Sequence, residues 1–207
     1  MLITLGLLGS LVAAAALQFS VAACVTTSAI KLPCRAEQAL VTVLELRSYD
    51  GPFLEDGSHR AVQGVAEVVV QNEGKSLLKT GAVKLRQGQE LLVFSFSMLP
   101  AGQKLLVLEK TAKPYANRPI TACWGWAVAG ETDRRIRAQE VGRTAVSLTN
   151  EAETALDAWA YYKHYDPVRC MLVGGISYRV HVPCLKPGHR VTLPAYAYQS
   201  SSSMLIE

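Results

Sequence analysis

The chain has 207 residues, of which 50% are hydrophobic and 18% charged, so it can bury a core as one large domain or two small ones and is too apolar for general disorder. Its net charge of +4 is dispersed, the densest basic stretch being "DRRIRAQ" at 133–139 with Asp133 and Glu140 alongside. That pattern excludes the clustered basic face with interleaved aromatics that nucleic-acid binding needs.

The first element in chain order is apolar. Residues 2–17, "LITLGLLGSLVAAAAL", carry no charge, and no Asp, Glu, Lys or Arg occurs before Lys31. In hydrocarbon such a stretch satisfies its own backbone only as a helix. Three readings stay open for residues 1–24. One is a secretory signal peptide with Val21 and Ala23 at the −3 and −1 positions of a cleavage site. The second is a lipoprotein signal, since "VAAC" resembles the bacterial lipobox and would make Cys24 the lipidated residue. The third is an uncleaved anchor, for which the roughly 20 residues of a bilayer span are available. Each makes the membrane a partner and places the remainder outside the cytoplasm, secreted or anchored to the cytoplasmic membrane. Residues 25–37 read as a linker.

Beyond residue 38 the apolar period is two, the mark of antiparallel strands with one buried and one wet face. In "VAEVVVQN" Ala66, Val68 and Val70 share a face; in "FSFSM" Phe94, Phe96 and Met98 do; in "ISYRVHV" Ile176, Tyr178, Val180 and Val182 do. Turn chemistry separates these runs at Asn72-Glu73-Gly74, Gln87-Gly88, Pro100-Ala101-Gly102, Gly174-Gly175 and Pro187-Gly188. The expected core is Val68, Val70, Leu85, Phe94 and Phe96, followed by Val146, Leu148, Tyr178 and Val180.

Two landmarks recur in order and in phase. "VVVQNEGKSLL" (68–78) matches "VSLTNEAETAL" (146–156), and "LPAGQKLLVLEK" matches "LKPGHRVTLPAY". Asn150 follows Asn72 by 78 residues, and Gly188 follows Gly102 by 86. This predicts a duplicated unit, with the second copy lengthened around "YDPVRCMLVGG". A strand ending in Asn-x-Gly, followed after several short strands by Leu-Pro-x-Gly, resembles bacterial extracytoplasmic immunoglobulin-like domains. The resemblance is to the cell-adhesion-related domain of bacterial surface proteins. Residues 64–110 carry it, and 142–194 carry it more loosely, with Ala152 in place of the turn glycine. It implies an all-β fold of two tandem immunoglobulin-like β-sandwiches after the N-terminal apolar helix, over 38–117 and 118–207. It also implies a non-catalytic cell-envelope protein acting as an adhesive, spacer or assembly module, with no catalytic residue to carry over.

Five cysteines occur. If Cys24 is removed or lipidated, four remain, as suits an oxidising compartment. Cys170 and Cys184 flank a hairpin-like stretch and are the expected pair, leaving Cys34 with Cys123; four unpaired thiols are the alternative. No metal, cofactor or turnover is expected, because H-E-x-x-H, G-x-S-x-G, P-loop and G-x-G-x-x-G patterns are absent. A Cys170–His164 thiol nucleophile is the enzymatic alternative. The acidic loop "YDGPFLEDGSH" reads as an ordinary turn. In "AWAYYKHYDP" the strand period puts Trp159, Tyr161 and Tyr165 on one face, a strip suited to a glycan or a protein partner or, alternatively, to core filling. Trp124 and Trp126 pose the same choice.

Overall fold

The computed structural model describes residues 41–55, 58–142, 145–166, 168–194 and 202–206. The expected apolar helix, the linker, Cys24 and Cys34 lie outside the described residues. The described chain is all-β, with twelve strands: β1 (Val41–Glu55), β2 (Ser58–Asn72), β3 (Leu77–Gln87), β4 (Glu90–Leu99), β5 (Lys104–Leu108), β6 (Ile120–Gly130), β7 (Ile136–Val141), β8 (Ala145–Asn150), β9 (Leu156–Asp166), β10 (Met171–Leu185), β11 (Arg190–Pro194) and β12 (Ser202–Ile206).

The pairings repeat with a period of six strands. In the first half β2 lies between β1 and β5, and β3 lies between β4 and β6. In the second half β8 lies between β7 and β11, and β9 lies between β10 and β12. The register repeats to the residue. Val68 opposes Val107 as Val146 opposes Leu193, and Leu78 opposes Leu99 as Leu156 opposes Leu185. These pairs keep the spacing of 78 on one strand and 86 on the other that the landmark turns set.

The two halves do not stand apart. A short parallel pairing of β5 with β10, Leu105 to Leu172 and Leu106 to Val173, fuses them into one six-stranded sheet, β1-β2-β5-β10-β9-β12. The sheet β4-β3-β6 covers one face of its first half. Between them are buried Val68, Val70, Leu105, Val107 and Leu172 from the long sheet and Val83, Leu85, Phe94 and Phe96 from the short one. The sheet β11-β8-β7 covers the second half, burying Val146, Leu148 and Leu193 against Ala158, Ala160, Tyr162 and Val182.

Strand phase puts these two covers on opposite faces of the long sheet. Leu172 and its partner Tyr165 face the first core, whereas Ala158, Ala160 and Tyr162, of the other parity on β9, face the second. A third cluster, Phe53, Val65, Val69, Leu106 and Leu108, is buried on the side of the first half away from the sheet β4-β3-β6. The expected core residues are in place: Val68, Val70, Leu85, Phe94, Phe96 and Leu148 are fully buried and Val146 nearly so, while Tyr178 and Val180 are partly buried against the second core.

Two expectations need correction. Gly174-Gly175 is no turn; it lies within β10, where pairing with β9 breaks between Val173 and Tyr178. Cys170, in the turn just before β10, and Cys184, near the end of it, are therefore separated by nearly the whole extended strand. At about 3.3 Å per residue they are tens of ångströms apart, far beyond the roughly 7 Å between Cα atoms that a disulfide allows. Cys184 is a free, exposed thiol.

Candidate interaction surface

The strip expected on β9 is divided. Trp159 is half-buried, and its ring is already engaged: it stacks on His181 with centroids 4.3 Å apart and planes 14° apart, and the Arg179 guanidinium lies 4.8 Å from its centre. Cross-strand register explains the contact, because His181 lies directly opposite Trp159, and Arg179 opposite Tyr161. Asp157 approaches His181 at 3.8 Å. Tyr161 is half-buried beside this cluster, whereas Tyr165, opposite Leu172, packs against the first core. Trp159 and Tyr161 thus share a surface and Tyr165 does not join them. Cys170, in the turn before β10, and His164, opposite Val173, belong to the same hairpin.

The exposed aromatic surface is on β6. Its sequence "ITACWGWAVAG" alternates large and small: Ala122, Trp124, Trp126 and Val128 on one face, Cys123, Gly125 and Ala127 on the other. The small face turns to the core, where Ala127 is buried and Cys123 is partly buried. Gly125 is required there, since a Cβ would come within 2.5 Å of the Ala82 carbonyl oxygen. The large face turns to solvent: Trp124 is 37% exposed, Trp126 48% and Val128 50%.

β3 supplies the surroundings. Lys84 lies opposite Trp124, Ala82 opposite Trp126, Thr80 opposite Val128 and Arg86 opposite Ala122. The Arg86 guanidinium lies 5.8 Å from the Trp124 ring, within cation–π range. Among the described residues β6 pairs with β3 alone. No residue from Ile120 to Gly130 is charged and none is proline.

Sequence reading left Trp124 and Trp126 undecided between core and surface. The distinguishing signal was the other parity of the same strand. Cys, Gly and Ala on one face leave room for the rings of an opposing sheet and oblige both indoles to face outward.

Two buried carboxylates flank the first half. Glu67 lies between Val65 and Val69 on the face of the long sheet away from β4-β3-β6 and receives a hydrogen bond from Arg47 Nε. Burial pushes its carboxyl above the ordinary glutamate value, against the pull of Arg47. Burial acts the same way on Glu109. There, however, the N–H groups of Lys113, Val93 and Thr111 and the Thr111 hydroxyl all donate to it, holding the carboxyl below the ordinary value. Glu109 thereby pins the 109–113 loop along the β4 edge, where Lys110 N–H also donates to the Val93 carbonyl at 2.8 Å.

Comparison of the chain with family models, with curated proteins and with solved structures gives no match.

Proposed function

We propose that this chain is a non-catalytic cell-envelope module, membrane-anchored or secreted, that works by binding and assembly. In this reading each half is an immunoglobulin-like sandwich, and the apolar first two dozen residues direct the body out of the cytoplasm. The order β1-β2-β5 over β4-β3-β6, repeated as β7-β8-β11 over β10-β9-β12, supports the two-sandwich reading. The observation that carries the function is the exposed indole pair on the uncharged strand β6. A surface of this kind uses its aromatic side chains as anchors for a partner.

The test is sedimentation of the purified protein with cell-envelope fractions. Trp124→Ala/Trp126→Ala is expected to lower retention at least ten-fold, while Trp159→Ala, whose ring serves His181 and Arg179 internally, leaves it within two-fold. Equal retention of all three proteins removes β6 as the contact surface.

A second reading, glycan binding, is favoured by the same two indoles with Lys84 and Arg86 beside them. Aromatic faces stack on sugar rings, and the cations would select acidic sugars. It requires binding to an acidic oligosaccharide that quenches indole fluorescence in the parent chain and not in the double variant.

A further inference from the structure

We infer that the outer face of the sheet β4-β3-β6 is a lipid-binding surface, which seats the β6 indoles at the headgroup level of an anionic membrane and sets Lys84 and Arg86 on its phosphates. The inference rests on the reading of the β6 indoles as a contact surface and names their occupant. Register sets Lys84 between Trp124 and Val93, and Arg86 between Ala122 and Leu91. Residues opposite one another in an antiparallel sheet point to the same side, so cations and apolar groups share one face. Trp126 and Val128 extend its apolar part away from the cations. The positions that make up the face, even numbers 80–86 and 122–128 and odd numbers 91–95, include no carboxylate.

Further positive charge lines the β4 side. Lys110 is exposed, and Lys113 donates from Nζ to the Leu91 carbonyl at 2.7 Å. Glu109 in the same loop is buried with its charge met by the donors described above, and Glu90 lies opposite Gln87, on the other parity of the sheet. Indole favours the boundary between hydrocarbon and headgroups, and an anionic lipid surface draws Lys and Arg beside it. Other occupants fit less well. Lysine is depleted from protein–protein interfaces, whereas at a lipid surface its methylenes lie along apolar groups and its ammonium reaches the phosphates. A bound sugar needs partners for its own hydroxyl groups, and beside the two indoles β3 offers Ala82 and Lys84.

Lipids brominated along the acyl chain quench an indole only on contact, so they read this face rather than retention through residues 1–24. The chain has three tryptophans, so the full chain carrying Trp159→Phe leaves the β6 indoles as the reporters. Reductant is left out, because Cys123 on the inner side of β6 is disulfide-bonded. Quenching with a blue shift is expected on vesicles of phosphatidylcholine and phosphatidylglycerol in equal parts, and not on phosphatidylcholine alone. Lys84→Gln/Arg86→Gln should weaken partitioning of the face roughly thirty-fold, the effect of two cations at an anionic surface. Val128→Asp should abolish the quenching, and the far-ultraviolet spectrum should be unchanged in both variants.

Indoles that stay unquenched on the mixed vesicles overturn the inference, as does quenching that is indifferent to the Lys84 and Arg86 substitutions or equal on the two lipids. Unquenched indoles in a chain whose envelope retention still needs Trp124 and Trp126 refute the lipid occupant and leave the proposed function standing. A soluble acidic oligosaccharide that quenches them in place of the vesicles refutes it too and assigns the face to the second reading. Quenching on the mixed vesicles without retention by envelope fractions upholds the lipid contact and refutes the envelope role.

Discussion

Asn72 and Asn150 hold the two halves in the same way. Asn72 Nδ2 donates to the Ser76 and Leu99 carbonyls at 2.8 and 3.1 Å, and its Oδ1 accepts from Gly74 N–H at 2.9 Å. Asn150 Nδ2 donates to Thr154 and Leu185 at 2.8 and 2.7 Å, and its Oδ1 accepts from Ala152 N–H at 2.8 Å. The backbones agree too: Gly102 N–H donates to the Asn72 carbonyl and Gly188 N–H to that of Asn150, each at 2.9 Å. Even the irregularity recurs, for Met98 and Cys184 are both left-handed, with φ of 49° and 48°. A left-handed residue just before Leu99 or Leu185 disturbs the ladder there, and the buried asparagine supplies the donor that the following carbonyl needs.

The cores behind these matching turns differ. The first holds Phe94 and Phe96, with the Phe96 ring over Gly81, where a Cβ would come within 2.4 Å. The second holds Ala158, Ala160 and Tyr162, with Tyr162 and Tyr178 rings 5.9 Å apart. Side chains filling a core can be exchanged if volume is kept. A carbonyl that must be met by one donor at one place cannot be served otherwise. The turns are therefore more tightly constrained than the strands that fill the cores.

If that account is right, Asn72→Ala and Asn150→Ala cost about the same, about 3 kcal/mol each, because each leaves a buried carbonyl unmet. Urea unfolding measures both, and since the halves share one sheet a single transition is expected. A difference of more than about 2 kcal/mol between the variants would mean that the cores, not the turns, set stability.

Glu109 sharpens the contrast from the other side, because the position 86 residues further on is Ala195, which carries no carboxylate. Glu109→Gln should cost about 2 kcal/mol at neutral pH, by weakening hydrogen bonds to a charged acceptor. Its carboxyl is held below the ordinary value in the folded protein, so its contribution is present above that value and is lost as pH falls through the folded one. Glu67 has the opposite sign. Its carboxyl is raised, so its contribution is greatest in acid and is lost as pH rises from the ordinary value through the folded one. Stability curves of Glu109→Gln and Glu67→Gln against pH should therefore depart from the parent with opposite slopes.

These particulars mark what the sequence made legible. Strand phase and turn chemistry are local, so Phe94 and Phe96, the paired Asn and Gly landmarks, and the spacing of 78 and 86 residues could all be read from it. The long sheet could not be. Its joint is two residue pairs between Leu105-Leu106 and Leu172-Val173, and nothing local marks two apolar dipeptides as partners across the chain. Gly174-Gly175 misled for a related reason: the same dipeptide serves a turn or a break within a strand, and its neighbours in space decide which. The β6 surface was half legible, its alternation plain and its place beside β3 hidden until the sheet was seen.

Smaller effects test the backbone alone. Gly102 and Gly188 have φ of 73° and 68°, and an added Cβ at either would meet nothing within 4 Å. Gly102→Ala and Gly188→Ala should each cost about 1 kcal/mol, purely from the left-handed conformation. Thermal unfolding of the two variants should give matched decreases in Tm.

The smallest expected effect is the most discriminating. Within Asn72-Glu73-Gly74, Gly74 is the residue at which the two copies disagree, and it is not among the glycines with positive φ. Its counterpart Ala152 makes the same hydrogen bond to its asparagine. An alanine Cβ at 74 would lie 3.1 Å from Asn72 Oδ1, tight enough that the turn must give by a few tenths of an ångström, as the second copy has already done. Gly74→Ala should thus change stability by no more than about 0.5 kcal/mol. A loss comparable to that of Asn72→Ala would mean that the first turn has no room to adopt the geometry of the second. The likeness of the two asparagine turns would then stop at their hydrogen bonds.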